Sequence, residues 1–200
     1  MNWTLFFDIG NVLYFISLEK MCNQIAHLFS IPIEIVKLHL YDKEIIMKYE
    51  SGTISTEEII EYFSKSSKKT VCKKDFNKAI SSVFTKPNNE IIPLIETLKN
   101  NNHTLILLSN TNEVHYRYLE KFFPILKLFD KTILSYKVGF IKPQREIFEI
   151  ALSHGNNSSM FYTDDIKENI DAARNTGLDC EIFTTVSLLK DHLLKRKIIT

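Results

Sequence analysis

The chain has 200 residues, of which 44% are hydrophobic and 24% charged, so it suits one ordinary domain with a modest insertion and is too apolar for a disordered chain. Its 25 Lys and Arg residues nearly balance its 24 Asp and Glu residues, giving a net charge of +1. This balance excludes a global electrostatic attraction to nucleic acid or to an anionic membrane, so an anion must be recognised locally.

The chain begins with an apolar run, 3–7, that predicts a buried strand ending in the polar turn Asp8–Asn11. From about 15 to about 85 the pattern is helical without a convincing strand, and Ser55 and Glu58 form a helix-capping pair. We therefore predict an inserted helical unit. An insertion directly after the first strand of an open α/β sheet lies over the strands' carboxyl ends, where ligands bind, so we expect it to act as a lid.

Beyond this insertion, short apolar runs alternate with amphipathic helical patterns. The predicted strands are 104–108, 132–135, 159–163 and 180–184. Helical patterns cover 90–99, a segment that opens at Pro143, and 166–176, after which Gly177 is a natural helix end. The alternation predicts an α/β fold with a parallel sheet and helices on both faces. Residues 1–14 and 86–200 would form this core and residues 15–85 the helical cap.

Polar side chains follow four of the predicted strands. Asp8 follows the first, Ser109–Asn112 the second, Lys142 the third and Asp164–Asp165 the fourth. Each alone has an ordinary explanation, such as a turn residue, a solvated lysine or, for Asn112, a helix N-cap. Because the carboxyl ends of parallel strands meet at one edge of the sheet, the ordered set predicts a shared site.

Phosphoryl transfer through an aspartyl-phosphate requires such a set. Asp8 would be the nucleophile, Ser109 and backbone amides would hold the phosphate oxygens, and Lys142 would offset negative charge; these three are the predicted catalytic residues. Asp165 would help to hold a hard cation, and Mg²⁺ suits carboxylate oxygens. The cation and Lys142 would also keep carboxylates that share a cleft from raising one another's pKa.

The stretches FFDIGNVL, LLSNTN, GFIKPQREIF and YTDDIKENIDAARNTGL resemble the haloacid dehalogenase (HAD) superfamily, which consists mostly of Mg²⁺-dependent phosphatases, over nearly the whole chain. Its fold is Rossmann-like, and the helical insertion stands where the superfamily has its type 1 cap. Within the superfamily, and with YESGTIS in the cap, the chain is similar to α-glucose-1-phosphate phosphatase and the phosphatase domain of soluble epoxide hydrolase.

The resemblance implies a role for each matching position. Asp8 would be the nucleophile and Asn169 would orient a loop. The implied metal ligands are Asp8, the Gly10 carbonyl, Asp165 and, nearby or in the outer shell, Asp164. The implied substrate-binding residues are Ser109, Asn110, Asn11, Gly10 and Lys142.

One position departs from the superfamily's pattern. Most of its phosphatases carry a second Asp two residues after the nucleophile, as general acid and base, and here that position is Gly10. General acid catalysis contributes about 10²–10⁴-fold, so we expect a preference for leaving groups that tolerate negative charge. Other candidate proton donors are Glu50 and His115, and Tyr49 is a further candidate for substrate contact.

The three cysteines are far apart and odd in number, which argues against a disulfide framework or zinc site and favours a reducing, cytoplasmic setting. The apolar segment 3–16 lacks the basic leader of a signal peptide, and no run reaches the ~18 apolar residues of a membrane span. The expected partner is a small phosphate ester, not nucleic acid or membrane, bound by a monomer or homodimer.

The sequence leaves three functions open. The first is a phosphatase for a small phosphate monoester, either a sugar phosphate or an aryl phosphate including phosphotyrosine. The second is a catalytically weak protein that binds phosphate or a partner. The third is a dehalogenase, which uses an aspartate nucleophile without metal and has no use for the pair Asp164–Asp165.

Overall fold

The computed structural model describes residues 2–41, 43–67, 69–155 and 159–200, without the side chains of residues 43 and 44. Its strands are β1 (Thr4–Phe7), β2 (Tyr14–Ile16), β3 (Phe84–Pro87), β4 (Thr104–Ser109), β5 (Lys131–Leu134), β6 (Met160–Asp164) and β7 (Cys180–Ile182). Its helices are α1 (Leu18–Phe29), α2 (Ile33–Tyr41), α3 (Lys43–Glu50), α4 (Thr56–Ser67), α5 (Lys73–Ser81), α6 (Ile92–Asn100), α7 (Glu113–Phe122), α8 (Ser135–Val138), α9 (Arg145–Ser153), α10 (Lys167–Asn175) and α11 (Val186–Lys195). A 3₁₀ turn covers Pro124–Leu128. Within the described ranges no helix has the length and apolar character needed to cross a membrane.

The five predicted strands form one parallel sheet in the order β5-β4-β1-β6-β7, which confirms the predicted fold class. The central strand β1 is buried along its whole length, as expected for a strand covered on both faces. Leu5 and Phe7 face one apolar cluster, while Phe6 faces the other with Ile106 and Tyr162. The alternation of side chains along β1 thus divides the core into two layers.

Helices α1 to α5 occupy the stretch between β2 and β3, where helical periodicity was expected. The sequence did not predict β2 and β3, which pair antiparallel as a separate two-stranded sheet with Tyr14 opposite Pro87. These strands are only three and four residues long and mostly half-buried or exposed, so they have no clear apolar pattern. They bring the two ends of the helical stretch side by side.

The helical stretch also touches the sheet domain through a close backbone approach. Gly52 follows α3 and has a φ of +73°, a conformation that side chains other than glycine rarely adopt. A Cβ atom there would lie 2.5 Å from the backbone oxygen of Tyr136 in α8. Only glycine therefore fits between α3 and α8 without displacement.

The structure places Lys142 differently from the sequence prediction and Gly177 as predicted. Lys142 does not follow its strand directly, because α8 intervenes after β5 ends at Leu134. Gly177 lies just past α10 with a φ of +88°, as predicted for a residue that ends a helix. The position of Lys142 is therefore set by the chain between α8 and α9 and not by the end of β5.

Candidate active site

Asp8 lies at the carboxyl end of β1, in the middle of the sheet edge. Its backbone N–H donates to the Thr163 carbonyl (3.1 Å), which continues the pairing of β1 with β6 by one residue. The side chain is almost completely buried. Burial raises the pKa of Asp8 to about 6, with Lys142 opposing the rise and Asp164 adding to it. The carboxyl is therefore mainly ionised at neutral pH.

Lys142 is a buried cation shared by two carboxylates. Its Nζ atom donates to Oδ1 of Asp8 (2.8 Å), to Oδ2 of Asp164 (2.6 Å) and to the Leu108 carbonyl (3.0 Å). Burial by itself would lower its pKa, but the two carboxylates outweigh burial and raise the pKa above its usual value. Lys142 therefore stays charged, and three acceptors fix its position.

Asn110 holds the backbone of Lys142 in place. Its Nδ2 atom donates to the Lys142 carbonyl (2.8 Å), and its Oδ1 atom accepts from the Lys142 N–H (2.7 Å). These two hydrogen bonds hold the backbone at Lys142, which lies outside the strands of the sheet. The sequence predicts that Asn110 binds substrate, and that role stays a prediction. The contact that the structure shows for the Asn110 side chain is the one with Lys142.

Asp164 is fully buried and surrounded by donors. Its Oδ1 atom accepts from the Ile166 N–H (2.8 Å), and Asn169 Nδ2 lies 3.1 Å from each carboxylate oxygen. Its Oδ2 atom also accepts from the Tyr162 hydroxyl and from Lys142. Burial by itself would raise its pKa, but Lys142 and these donors lower it overall. Asp164 is an ionised anchor for Lys142, and Asn169 orients it.

Tyr162 was not recognised from the sequence. It lies two residues before Asp164 on β6, so strand alternation places both side chains on the same face. That spacing was the available signal, but an apolar run with a tyrosine is equally typical of packing. The hydroxyl adds a hydrogen bond that supports the charged form of Asp164.

Asp165 is half-exposed and is not among the hydrogen-bond partners of Lys142 in the described residues. Its Oδ2 atom accepts from Asn11 Nδ2 (2.9 Å), and Asn11 Oδ1 accepts from the Ile16 N–H at 3.3 Å. Burial raises the pKa of Asp165, with the Asn11 hydrogen bond opposing the rise. Asn11 therefore connects the turn after β1 to the loop after β6.

The carboxylates of Asp8, Asp164 and Asp165 come together as predicted, with one oxygen of each within 4.8 Å of the others. An all-oxygen, anionic donor set of this kind suits a hard divalent cation such as Mg²⁺. The Gly10 carbonyl, a further predicted ligand, accepts from the Val12 N–H (2.7 Å) and keeps a second lone pair. The residues present thus fit a magnesium site.

Gly10 has room for a side chain. It is not in the left-handed region of φ, and a Cβ atom would lie 3.6 Å from Ile16 Cδ1 and 3.7 Å from Asp8 Oδ2, which are ordinary contacts. The glycine is therefore not required by backbone geometry. A Cβ atom at this position would lie next to Asp8 without a close contact.

Ser109 and Asn112 lie at the end of β4 and the start of α7. Ser109 is buried, and its hydrogen bond to Asp8 lowers the pKa of that carboxyl in opposition to burial. Asn112 Oδ1 accepts from the His115 N–H at 3.0 Å, which confirms the expected N-cap. Phosphate binding by Ser109 stays a prediction that its place beside Asp8 supports.

His115 and Tyr49 are engaged within the protein. His115 Nε2 lies 3.1 Å from the Ile80 carbonyl, which requires Nε2 to carry the proton, and Nδ1 lies 3.0 Å from Asn112 Nδ2. Burial lowers the pKa of His115 to about 4, so it is neutral. The Tyr49 hydroxyl bonds to Thr56 Oγ1 at 3.1 Å. Neither group is poised to give a proton to a substrate.

Glu50 differs from both. It ends α3, is half-buried, and lines a cavity together with Gly10 and Ser109. Burial raises its pKa to about 7, and the charges of Lys142 and Asp8 act on it in opposite directions. Glu50 is thus a titratable carboxyl on the helical stretch that faces the cluster at the sheet edge.

Residues 24–182 match the haloacid dehalogenase-like hydrolase family. The chain belongs to this family. The match confirms the superfamily that the motifs pointed to, while the branch within the superfamily and the boundaries of the helical cap stay predictions.

Solved structures of HAD proteins share this fold. A HAD family enzyme from Bacteroides thetaiotaomicron is 25% identical, with a TM-score of 0.82 over 92% of this chain and 95% of that one. The same enzyme in complex with magnesium and inorganic phosphate gives a TM-score of 0.81 at 25% identity, over 94% of this chain and 99% of that one. A HAD-like family hydrolase from Porphyromonas gingivalis, at 22% identity, shows the fold with a TM-score of 0.84 over 96% and 98% of the two chains.

Proposed function

We propose that this HAD-family hydrolase is a Mg²⁺-dependent phosphatase that cleaves phosphate monoesters through an aspartyl-phosphate on Asp8. The observation that carries the proposal is the buried Lys142 ammonium, which bonds to Asp8 and Asp164 (2.8 and 2.6 Å) within a carboxylate cluster completed by the half-exposed Asp165. The magnesium and phosphate complex of the Bacteroides enzyme supports it.

Asp8 has the properties of a nucleophile. With a pKa of about 6 it is mainly ionised at pH 7, and Lys142 holds Oδ1, which leaves Oδ2 for attack on phosphorus. A new bond from the Asp8 oxygen to phosphorus forms as the bond from phosphorus to the ester oxygen breaks. Water then attacks the acyl phosphate, releasing inorganic phosphate and regenerating the carboxylate.

The magnesium ion would be held by Asp8, Asp165 and the Gly10 carbonyl. Asp164 would lie in the outer shell, because its oxygens already accept hydrogen bonds from several donors. When bound, Mg²⁺ offsets the negative charge of the phosphoryl group and of the carboxylates. Ser109 would hold a phosphoryl oxygen from the end of β4. Lys142 keeps the nucleophile in place and counters the charge that gathers around it.

The leaving oxygen would depart with little protonation, because Gly10 supplies no acid.

We propose that helices α1 to α5 form a cap over this sheet edge and select the substrate. Sugar phosphates and aryl phosphates are both compatible with the phosphoryl site. A dehalogenase would need no metal, and the three clustered carboxylates favour phosphate chemistry over halide release.

The test is release of inorganic phosphate from 4-nitrophenyl phosphate with and without Mg²⁺. We expect turnover that EDTA abolishes and that excess Mg²⁺ restores. Asp8→Asn should lose activity, whereas Asp191→Asn, on the exposed face of α11, should retain it. Full activity in Asp8→Asn would refute the covalent mechanism, and phosphate binding without turnover in the parent would indicate a binding protein.

A further inference from the structure

A cavity of about 280 Å³ adjoins the phosphoryl site. Its wall includes Gly10, Ser109 and Asn110 at the sheet edge, and from there it extends beneath the helical stretch. The leaving group of an ester whose phosphate is held at Asp8 and Ser109 would therefore extend into this cavity. The walls of the cavity restrict the chemistry of the leaving group.

The part of the wall that lies away from the sheet edge is largely apolar. It is formed by side chains of α1 to α5 and β3, among them Ile46, Tyr49, Ile59, Phe63, Ile80 and Phe84. Among the described residues of the wall, Glu50 is the sole Asp, Glu, Lys or Arg. The described part of the wall thus offers no Lys or Arg to a second anionic group, and Glu50 disfavours one.

Away from the sheet edge, most polar side chains in the described wall already have partners within the protein. His39 contacts Tyr62 and Ser66, and Tyr41 is 59% exposed. Both ring nitrogens of His115 are within hydrogen-bond distance of Asn112 or the Ile80 carbonyl, and the Tyr49 hydroxyl is bonded to Thr56. A hydroxyl buried without a partner costs about 1–3 kcal/mol by protein mutational data, so a sugar with several hydroxyls would be penalised repeatedly. An apolar ring would instead gain from burial.

We infer, on the basis of the proposed phosphatase function, that the substrate is a phosphate monoester of an apolar alcohol or phenol whose ring or chain fills this cavity. The volume suffices, because an engineered apolar cavity of roughly 150 Å³ in another protein binds benzene. Of the sugar and aryl substrates left open above, this selects the aryl class and adds apolar alkyl esters to it.

The test compares cyclohexylmethyl phosphate with glucose 6-phosphate. Both are primary alkyl esters with a six-membered ring, so their leaving groups have similar acidity and differ mainly in ring hydroxyls. We expect kcat/KM to be on the order of 100-fold higher for the cyclohexylmethyl ester, from the gain of apolar burial and the loss of unpaired hydroxyls. Equal or faster turnover of glucose 6-phosphate would overturn the inferred class while leaving the phosphatase function in place.

A pair of variants ties the preference to the cavity. Ile46→Asn places an amide in the wall at a half-buried position, and we expect it to reduce the ratio of the two kcat/KM values about tenfold. Leu38→Asn makes the same kind of change at a position of α2 that is 67% exposed and lies outside the wall. It should leave the ratio unchanged, and equal effects in the two variants would count against the cavity.

Binding of 4-methylphenol gives a readout that needs no catalysis. We expect it to shift the NMR methyl signals of Ile46, Ile59 and Ile80, with no such shift from glucose. If neither these esters nor 4-nitrophenyl phosphate is hydrolysed but these signals shift, the phosphatase function is refuted and the apolar site stands. If the signals do not shift, the cavity does not bind an apolar ring and the inference is refuted.

Discussion

Gly10→Asp is the most informative perturbation of the proposed mechanism. The position accepts a side chain, because a Cβ atom would make only ordinary contacts with Ile16 Cδ1 (3.6 Å) and Asp8 Oδ2 (3.7 Å). The change would place a carboxyl beside the nucleophile, where the superfamily's pattern has one. We expect it to supply the proton that the leaving oxygen lacks.

The size of the effect follows from the closeness of Asp8. Two carboxylates about 5 Å apart repel by about 3 kcal/mol at an effective dielectric constant of 20. This repulsion raises the pKa of the new carboxyl, so it carries a proton that it can donate near neutral pH. General acid catalysis contributes about 10²–10⁴-fold, and we expect kcat for alkyl esters to rise by about 10²-fold, at the lower end of that range. Phenyl esters, whose oxygen tolerates negative charge, should change little.

The assay is the slope of log kcat against leaving-group pKa, for substituted phenyl and alkyl phosphates under single-turnover conditions that isolate the chemical step. The parent should give a steep negative slope and Gly10→Asp a shallower one. Gly10→Asn is the matched control, with nearly the same volume and no acid, and it should keep the steep slope. A flat slope in the parent, or equal gains in the two variants, would refute the interpretation of Gly10 as a lost acid.

Glu50→Gln identifies the alternative proton donor. With its pKa near 7, Glu50 loses its proton as the pH rises through neutrality, so a reaction that depends on it would slow above about pH 7. If Gly10 leaves the leaving group unprotonated, Glu50→Gln should not change the slope of the parent. A slope that is flat in the parent and steep in Glu50→Gln would assign the proton to Glu50.

Three further predictions concern the lysine, the metal site and the contact between α3 and α8. Lys142→Met leaves two buried carboxylates without their cation, which costs about 3–5 kcal/mol, and should lower Tm by roughly 6–20 °C at about 2–4 °C per kcal/mol in thermal melts. Asp165→Ala should raise the Mg²⁺ concentration for half-maximal activity by at least about 10–100-fold in a metal titration. Asp164→Asn should mainly lower Tm, because it weakens the hydrogen bonds that Asp164 accepts from buried Lys142 and Tyr162. Gly52→Ala should lower kcat/KM by about tenfold, because the new methyl group meets a backbone oxygen at 2.5 Å and displaces α3.

Controls separate these effects from general damage. Lys190→Met, on the exposed face of α11, should leave Tm unchanged, and a similar loss in both lysine variants would refute the buried-cation argument. Gly177 has a positive φ like Gly52, but a methyl group added there would meet no atom within 4 Å. The Gly177→Ala protein should therefore lose stability without losing kcat/KM. Asp165→Ala with unaltered Mg²⁺ dependence would remove it from the metal site.

Much of the fold and several site positions could be predicted from the sequence, because they depend on local patterns. The strand at 3–7 is a short, mostly apolar run rich in β-forming residues, and the same signal predicted the other four strands of the parallel sheet. Asn112 caps α7 through a bond to the residue three positions along the chain. Asp8, Asp164 and Asp165 could be expected to meet because parallel strands end at one edge.

Tertiary structure decided how those positions act on one another. Lys142 reaches Asp8 across 134 residues of sequence and depends on Asn110 for its backbone position, a bond that no local pattern encodes. Glu50 gains its raised pKa from burial, and the cavity beside it combines side chains from the sheet edge with others from α3, α4 and α5. Strand and helix periodicities are properties of neighbouring residues, whereas burial, ion pairing and cavity shape depend on which distant segments pack together, so only the folded chain determines them.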